Sequence, residues 1–346
     1  MAVAFDPERL QIKGASVPVV EGVVQSISSG AAQYSISTTG SLVYVPGGVQ
    51  GVERKLVWVD RNGAEQPFAA PAHAYESPRF SPDGQRIAVV PDSQIWLYDL
   101  SRETLTRLTF EGSVNSRPVW TPDGKRIAFF SNKAGQLNLF WQLADGSGGL
   151  ERLATSDFID VPQSFSPDGQ LLAFHEVNPT TGNDIMVLRL SDRKVQPFLR
   201  TPFNESDPRF SPDGRWMAYM SDESGRYEIY VQPYPGPGGK WQISTDGGTK
   251  PVWNPNGREL FYRNGNKMMA VEITTKPNFA LGNPHVLFER PYILANVPIS
   301  NYDVSPDGRR FLMVKPTEQA QAAPTQINVV LNWFEELKRR VPTGTK

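Results

Sequence analysis

The chain has no cysteine and only three histidines, His73, His175 and His285, among its 346 residues. The first absence removes disulfides, thiolate metal sites and a cysteine nucleophile. The second means that a three-histidine metal centre would need all of them, from distant parts of the sequence. No run approaches the ~18 apolar residues of a membrane-crossing helix, and the N-terminus lacks the charged-then-apolar pattern of a secretory signal. An excess of one charge is also missing: 35 Lys and Arg stand against 36 Asp and Glu, a formal net charge of −1. That balance, with a single basic cluster at Lys338-Arg339-Arg340, gives no footprint for nucleic acid and no reason to expect membrane insertion of this chain. Before the C-terminus no segment repeats its apolar residues every 3.6 positions, so helices should be nearly absent.

What is abundant is turn chemistry, with 30 Pro and 29 Gly placed between short apolar runs. In "RFSPDGQRIAVV" (79–90), Pro82 presets φ for a type I turn, Gly84 accepts a positive φ without cost, and the Ser81 hydroxyl can accept a backbone N–H two residues on. The unit recurs at Thr121-Pro122-Asp123-Gly124, Ser166-Pro167-Asp168-Gly169, Ser211-Pro212-Asp213-Gly214, Asn254-Pro255-Asn256-Gly257 and Ser305-Pro306-Asp307-Gly308. A degenerate copy stands at Ser37-Thr38-Thr39-Gly40. The copies lie roughly 40 to 51 residues apart, and each interval holds four apolar runs, the spacing of four-stranded propeller blades. Ala88, Ala128, Ala173 and Ala218 hold one small position in the second strand, where neighbouring sheets should approach closely.

The expected fold is therefore all-β: a β-propeller of four-stranded blades, seven preferred and six as the alternative. It is drawn as one domain over 1–346, with blades at 34–70, 77–110, 117–155, 162–200, 207–245 and 250–290, a last blade at 301–335, and a short C-terminal helix and tail over 332–346. "MAVAFDPERLQIKGASVPVVE" (1–21) aligns without a gap on "MAVEITTKPNFALGNPHVLFE" (269–289). This predicts that residues 1–22 supply the closing strands of the last blade. The run "INVVLNW" competes with "MAVAF" for that place.

The repeats, "FSPDG" before "IAVV", "TPDG" before "IAFF", and then "EIYVQPY", resemble the propeller repeats of the TolB family, over essentially the whole chain. "LVWVDRNG", "RPVWTPDGKRIAFFSN", "YEIYVQPYPGPGGKWQISTDGG" and "VVLNWFEELKRR" further resemble the C-terminal propeller region of bacterial membrane-anchored serine/threonine kinases. That resemblance implies a periplasmic or otherwise extracytoplasmic location, as a monomeric part of a longer membrane-anchored protein.

Catalytic signatures are scarce. There is no G-x-S-x-G elbow, phosphate loop or dinucleotide fingerprint, and His175-Glu176 has no second histidine at zinc-helix spacing. His175 itself reads as a strand-end histidine at the rim. The hairpin aspartates Asp83, Asp123, Asp168, Asp213 and Asp307 recur because the turn requires them. Variation is found in the segments entering each first strand: Glu76-Ser77, Ser116-Arg117, Asp160-Val161, Ser206-Asp207, Thr249-Lys250 and Ser300-Asn301. Differing residues at one place on a constant scaffold suit a binding site, here a mixed-charge rim at the channel mouth. Glu76, Arg117, Asp160, Asp207, Lys250 and Asn301 are its expected ligand-binding residues, and a peptide, saccharide or protein its expected partner. The expected function is a non-catalytic binding, sensor or scaffold module without cofactor. The alternative is a calcium-dependent propeller hydrolase of esters, lactones or phosphotriesters, with Glu76, Asp160, Asp207 and Asn301 as calcium ligands and His175, Glu76 and Asp160 as catalytic groups.

Overall fold

The computed structural model describes residues 1–24, 31–46, 53–275, 279–293, 300–317 and 326–341. The chain divides into two compact units, Lys55–Lys315 and a second made of Met1–Arg54 with Pro316–Lys346, where the sequence had been drawn as one domain.

The larger unit is a β-propeller. Among the described residues it holds six antiparallel sheets of four or five strands. Their innermost strands are Arg79–Phe80, Asn115–Trp120, Ile159–Phe165, Glu205–Phe210, Thr249–Trp253 and Tyr302–Val304, and the sheets are numbered first to sixth in that order. Six apolar clusters lie at the six junctions between successive sheets. Ala88 and Val90 meet Ile127 and Phe129 between the first and second, and Ala173 and Ile185 meet Met217 and Tyr219 between the third and fourth. Leu56 and Leu312 of the sixth sheet meet Ile87 and Val89 of the first, which closes the ring. The expected small position holds, since Ala88, Ala128, Ala173 and Ala218 are all fully buried.

The turn works as expected, with one exchange of roles. Gly84 has φ 68° and donates to Ser81 O at 2.8 Å. The acceptor for the N–H two residues on is Asp83, which takes Gln85 N at 3.0 Å, while the Ser81 hydroxyl takes Arg86 N at 2.9 Å and donates to Asp83 Oδ1 at 2.5 Å. The carboxylate is thus consumed by the turn. Asn256 does the same work in the drifted copy, accepting from Arg258 N at 2.8 Å.

The closure differs from expectation. The sixth sheet runs Tyr302–Val304, Arg310–Pro316, Arg54–Asp60, Glu65–Pro67, so the outer strands come from residues 54–67 and not from 1–22. Ala2–Asp6 pairs instead with Gln11–Val17 as a two-stranded sheet. The physical reason is burial. "RKLVWVD" offers Leu56, Val57 and Val59 to a strand covered on both faces, and all three are buried, whereas Phe5, Leu10 and Ile12 remain exposed. The seventh hairpin copy lies in the smaller unit, between Tyr34–Ile36 and Leu42–Tyr44. The competing run settles there as well: Asn328–Val330 pairs antiparallel with Leu42–Tyr44. The C-terminal helix forms over Trp333–Arg340 with Trp333 buried. The tail beyond residue 341 lies outside the described residues.

Candidate functional site: the inner ring of the propeller

Hydrogen bonds stitch neighbouring inner strands around the ring. Trp120 Nε1 donates to Arg79 O (3.0 Å), Arg209 Nη1 to Gln163 O (2.6 Å), Trp253 Nε1 to Arg209 O (3.0 Å) and Tyr302 OH to Lys250 O (2.6 Å). Arg79 Nη1 then reaches Tyr302 O at 3.1 Å, joining the first sheet to the sixth.

The expected rim residues are not solvated loop positions. Arg117, Asp160, Asp207 and Lys250 lie inside inner strands, and Asp160, Asp207, Lys250 and Asn301 are buried. The cause is a recurrent backbone irregularity. Ser77, Arg117, Asp207 and Lys250 have φ of 49°, 60°, 53° and 59°, and each precedes a proline. Side chains larger than glycine rarely adopt that conformation, and a following proline disfavours helical torsions further. The strand pairing slips at this point in three sheets, between Ser116 and Val119, Ser206 and Arg209, and Thr249 and Val252. Such bulges re-aim a side chain out of the regular alternation. Here they put residues that differ in charge at one repeated position of the ring.

The structure brings some candidates together and leaves others apart. Lys250 Nζ lies 3.0 Å from Asp207 Oδ2. Burial pushes the Asp207 carboxyl up, but Lys250, His175 and Arg209 outweigh it and hold the group below the usual carboxylate range. Burial likewise lowers Arg117 to about 10, opposed by the charges of Asp207 and Glu76. Asn301 Oδ1 accepts from Ser77 N at 3.3 Å. Asp160 belongs to a different group. It pairs across the strands with Glu176, which takes Arg200 Nη2 at 3.1 Å, while Arg200 Nε reaches Asp184 Oδ2 at 3.0 Å. Burial and the neighbouring Glu176 raise Asp160 to about 7.

His175 departs most from expectation. It lies within the strand Leu171–Asn178, fully buried, and burial lowers it to about 4. The charges that act on it are those of Asp207, Arg117 and Lys250. Among the described residues no three His, Asp or Glu side chains converge on a metal position.

Arg79 and Arg209 are site residues that the sequence reading missed. They occupy the same repeat position, in "SPRF" and "DPRF". An arginine recurring between the proline and the phenylalanine that precede the hairpin was the available signal. Burial lowers Arg79 to about 10, with Arg209 adding to the effect and Asp303 opposing it.

Residues 55–183 and 151–321 match the family model described as the TolB beta propeller domain, and the chain belongs to that family. It is 27% identical to the Tol-Pal system protein TolB of Helicobacter pylori, over 43% of this chain and 37% of that protein. It is 20% identical to an uncharacterized peptidase of Bacillus subtilis, over 44% and 31%. The chain therefore spans about a third of the length of these relatives. Among solved structures, a TolB-type chain from Agrobacterium tumefaciens matches with a TM-score of 0.62 at 17% identity, covering 77% of this chain and 99% of the other. TolB from Acinetobacter baumannii matches with a TM-score of 0.50 at 21% identity, covering 80% and 66%. At these identities the structures define the fold alone. Among the described residues no helix is long and apolar enough to cross a membrane.

Proposed function

We propose that the chain is a non-catalytic binding module that engages a peptide or a protein segment at the end of the ring where the inner strands begin. One observation carries this reading. The strained pre-proline position recurs in four of the six sheets with constant backbone geometry, yet presents serine, arginine, aspartate and lysine in turn. Strain of this kind costs on the order of 1–3 kcal/mol per residue and concentrates where side chains must be aimed at a ligand. Glu76 and Arg117, both half-buried, are the charged groups through which a ligand would first meet the ring. Membership in the TolB propeller family supports a binding role and an extracytoplasmic location for this chain.

Peptides selected from a random display library on the immobilised protein test the reading. Clones retained by wild type should be lost on folded Glu76→Lys and Arg117→Glu variants, and retained by Asp123→Lys on the hairpin face. Clones lost on the hairpin variant and retained by both ring variants would overturn it.

A further inference from the structure

We propose that the inner ring binds a carboxylate that has a hydrogen-bond donor beside it, held by Arg79, Arg209, His175 and Asn301. This deepens the reading of the ring as a ligand site and rests on it.

Charge balance comes first. Arg79, Arg117, Arg209 and Lys250 form one electrostatic neighbourhood with Asp207 and Asp303. Four cations face two carboxylates, an excess of two positive charges largely out of water. Adding Glu76, which acts on Arg117, and Arg263, which acts on Tyr302, leaves that excess unchanged. Buried charge is costly unless it is paired, so this ring is built to be completed by an anion.

The unused donors point the same way. Arg79 Nη1 is committed to Pro78 O (2.7 Å) and Tyr302 O (3.1 Å), and Arg209 Nη1 to Gln163 O, yet Nε of both arginines is buried without a partner. Asn301 Nδ2 is also buried and unpartnered. His175 Nδ1 lies 3.4 Å from Gln163 Nε2. With that amide donating, the neutral imidazole carries its proton on Nε2, a fully buried donor with no acceptor. These four buried donors belong to inner strands that carry an excess of positive charge, or to their immediate neighbours, and that setting favours an acceptor with negative charge.

One feature selects an anion that has a hydrogen-bond donor beside it. Asp207 Oδ1 is buried without a partner and can accept from a donor next to the ligand's carboxylate. A peptide C-terminus, with its last amide N–H, and a sugar acid, with its hydroxyls, both have this chemistry. Partial exposure of Arg117 and Arg209 leaves the cluster reachable from solvent.

The test is calorimetric titration of the whole chain, in low-salt buffer, with four probes: an N-acetyl dipeptide with a free C-terminus, its C-terminal amide, glucuronate and inorganic phosphate. Saturable binding of the free dipeptide or of glucuronate is expected, and which of the two binds identifies the source. The amide should bind at least ~10-fold more weakly, and phosphate binding tighter than either carboxylate would overturn the carboxylate assignment. Arg209→Gln and Arg79→Gln should each weaken binding by roughly 30-fold or more, and Arg209→Lys, which keeps charge but loses the planar fork, by an intermediate factor. Equal binding of acid and amide, no binding of either carboxylate, or unchanged affinity in folded Arg209→Lys and Arg79→Gln variants would each overturn the proposal. Display-selected peptides that depend on Glu76 and Arg117 but tolerate C-terminal amidation and lack acidic side chains would overturn the carboxylate site while leaving the ring as a binding site.

Discussion

Lys250 Nζ and Asp207 Oδ2 lie 3.0 Å apart with side-chain exposures of 7% and 1%, on neighbouring inner strands of the propeller. A buried ion pair contributes little net stability, because desolvation offsets most of the Coulomb gain, but breaking one strands the survivor. The two partners are not equivalent here. Asp207 also faces Arg209 and Arg117, so its loss adds to an existing positive excess, whereas loss of Lys250 reduces it. Asp207→Asn is therefore expected to destabilise by about 3–5 kcal/mol, and Lys250→Met by clearly less. Urea unfolding of both single variants and the double variant measures this. The reverse ranking would contradict a net-positive ring.

The hairpins allow a cleaner separation of backbone from charge. Gly169 has φ 70°, with Pro122 Cδ 3.5 Å from where a Cβ would stand. Gly169→Val should cost roughly 1–3 kcal/mol from torsional strain. Asp168→Asn should cost less than about 1 kcal/mol, since Asn256 already serves this turn in the fifth sheet. Loss of ligand binding in an Asp168→Asn variant of normal stability would mean that the hairpin carboxylates act outside the turn.

Ring closure makes a prediction of its own. Val59, in Arg54–Asp60, is fully buried between sheets, whereas Phe5, in Ala2–Asp6, is 55% exposed. Val59→Asp places a charge where nothing can solvate it and should cost roughly 3 kcal/mol or more, with aggregation through the opened sheet edge. Phe5→Asp should stay within about 0.5 kcal/mol. The opposite outcome in thermal unfolding would restore residues 1–22 to the closing sheet.

These contrasts also show what could be read from the sequence alone. The turn at Ser81–Gly84 and the small position at Ala88 depend on local torsions and on repetition, both visible in one chain. Closure was harder. The match of residues 1–21 to 269–289 reports hairpin character but not which strand edge the hairpin joins, and that choice depends on two-sided burial that "RKLVWVD" satisfies better. The site was half legible. Aligning the first strands located the variable position, but alternate residues of a strand face opposite ways, so a list mixing Asp160 with Arg117, Asp207 and Lys250 joined two groups of side chains. The left-handed torsion at Arg117 and the placing of Arg209 accompany bulges that no propensity announces.

The last prediction concerns pH. Burial and Glu176 raise the Asp160 carboxyl from 3.8 to about 7 in the folded protein. Between pH of about 4 and 7 the folded state thus keeps a proton that the unfolded chain has released, and stability falls as pH rises through that window, with the loss complete above about pH 7. Glu205 has the same sign, raised from 4.5 to about 7 by burial, against a hydrogen bond from Thr201. His175 has the opposite sign. Its folded value of about 4 lies below the ordinary 6.5, so it contributes stability that grows as pH rises from about 4 to 6.5. The raw profile mixes these groups, and a variant isolates one of them. Asp160→Asn stays neutral at every pH, so its stability relative to wild type should rise by at least ~1 kcal/mol between pH 5 and 8. Urea unfolding at pH 5, 6, 7 and 8 reads that difference. A flat difference across the range would show that Asp160 is ionised throughout and that its charge is compensated within the third sheet.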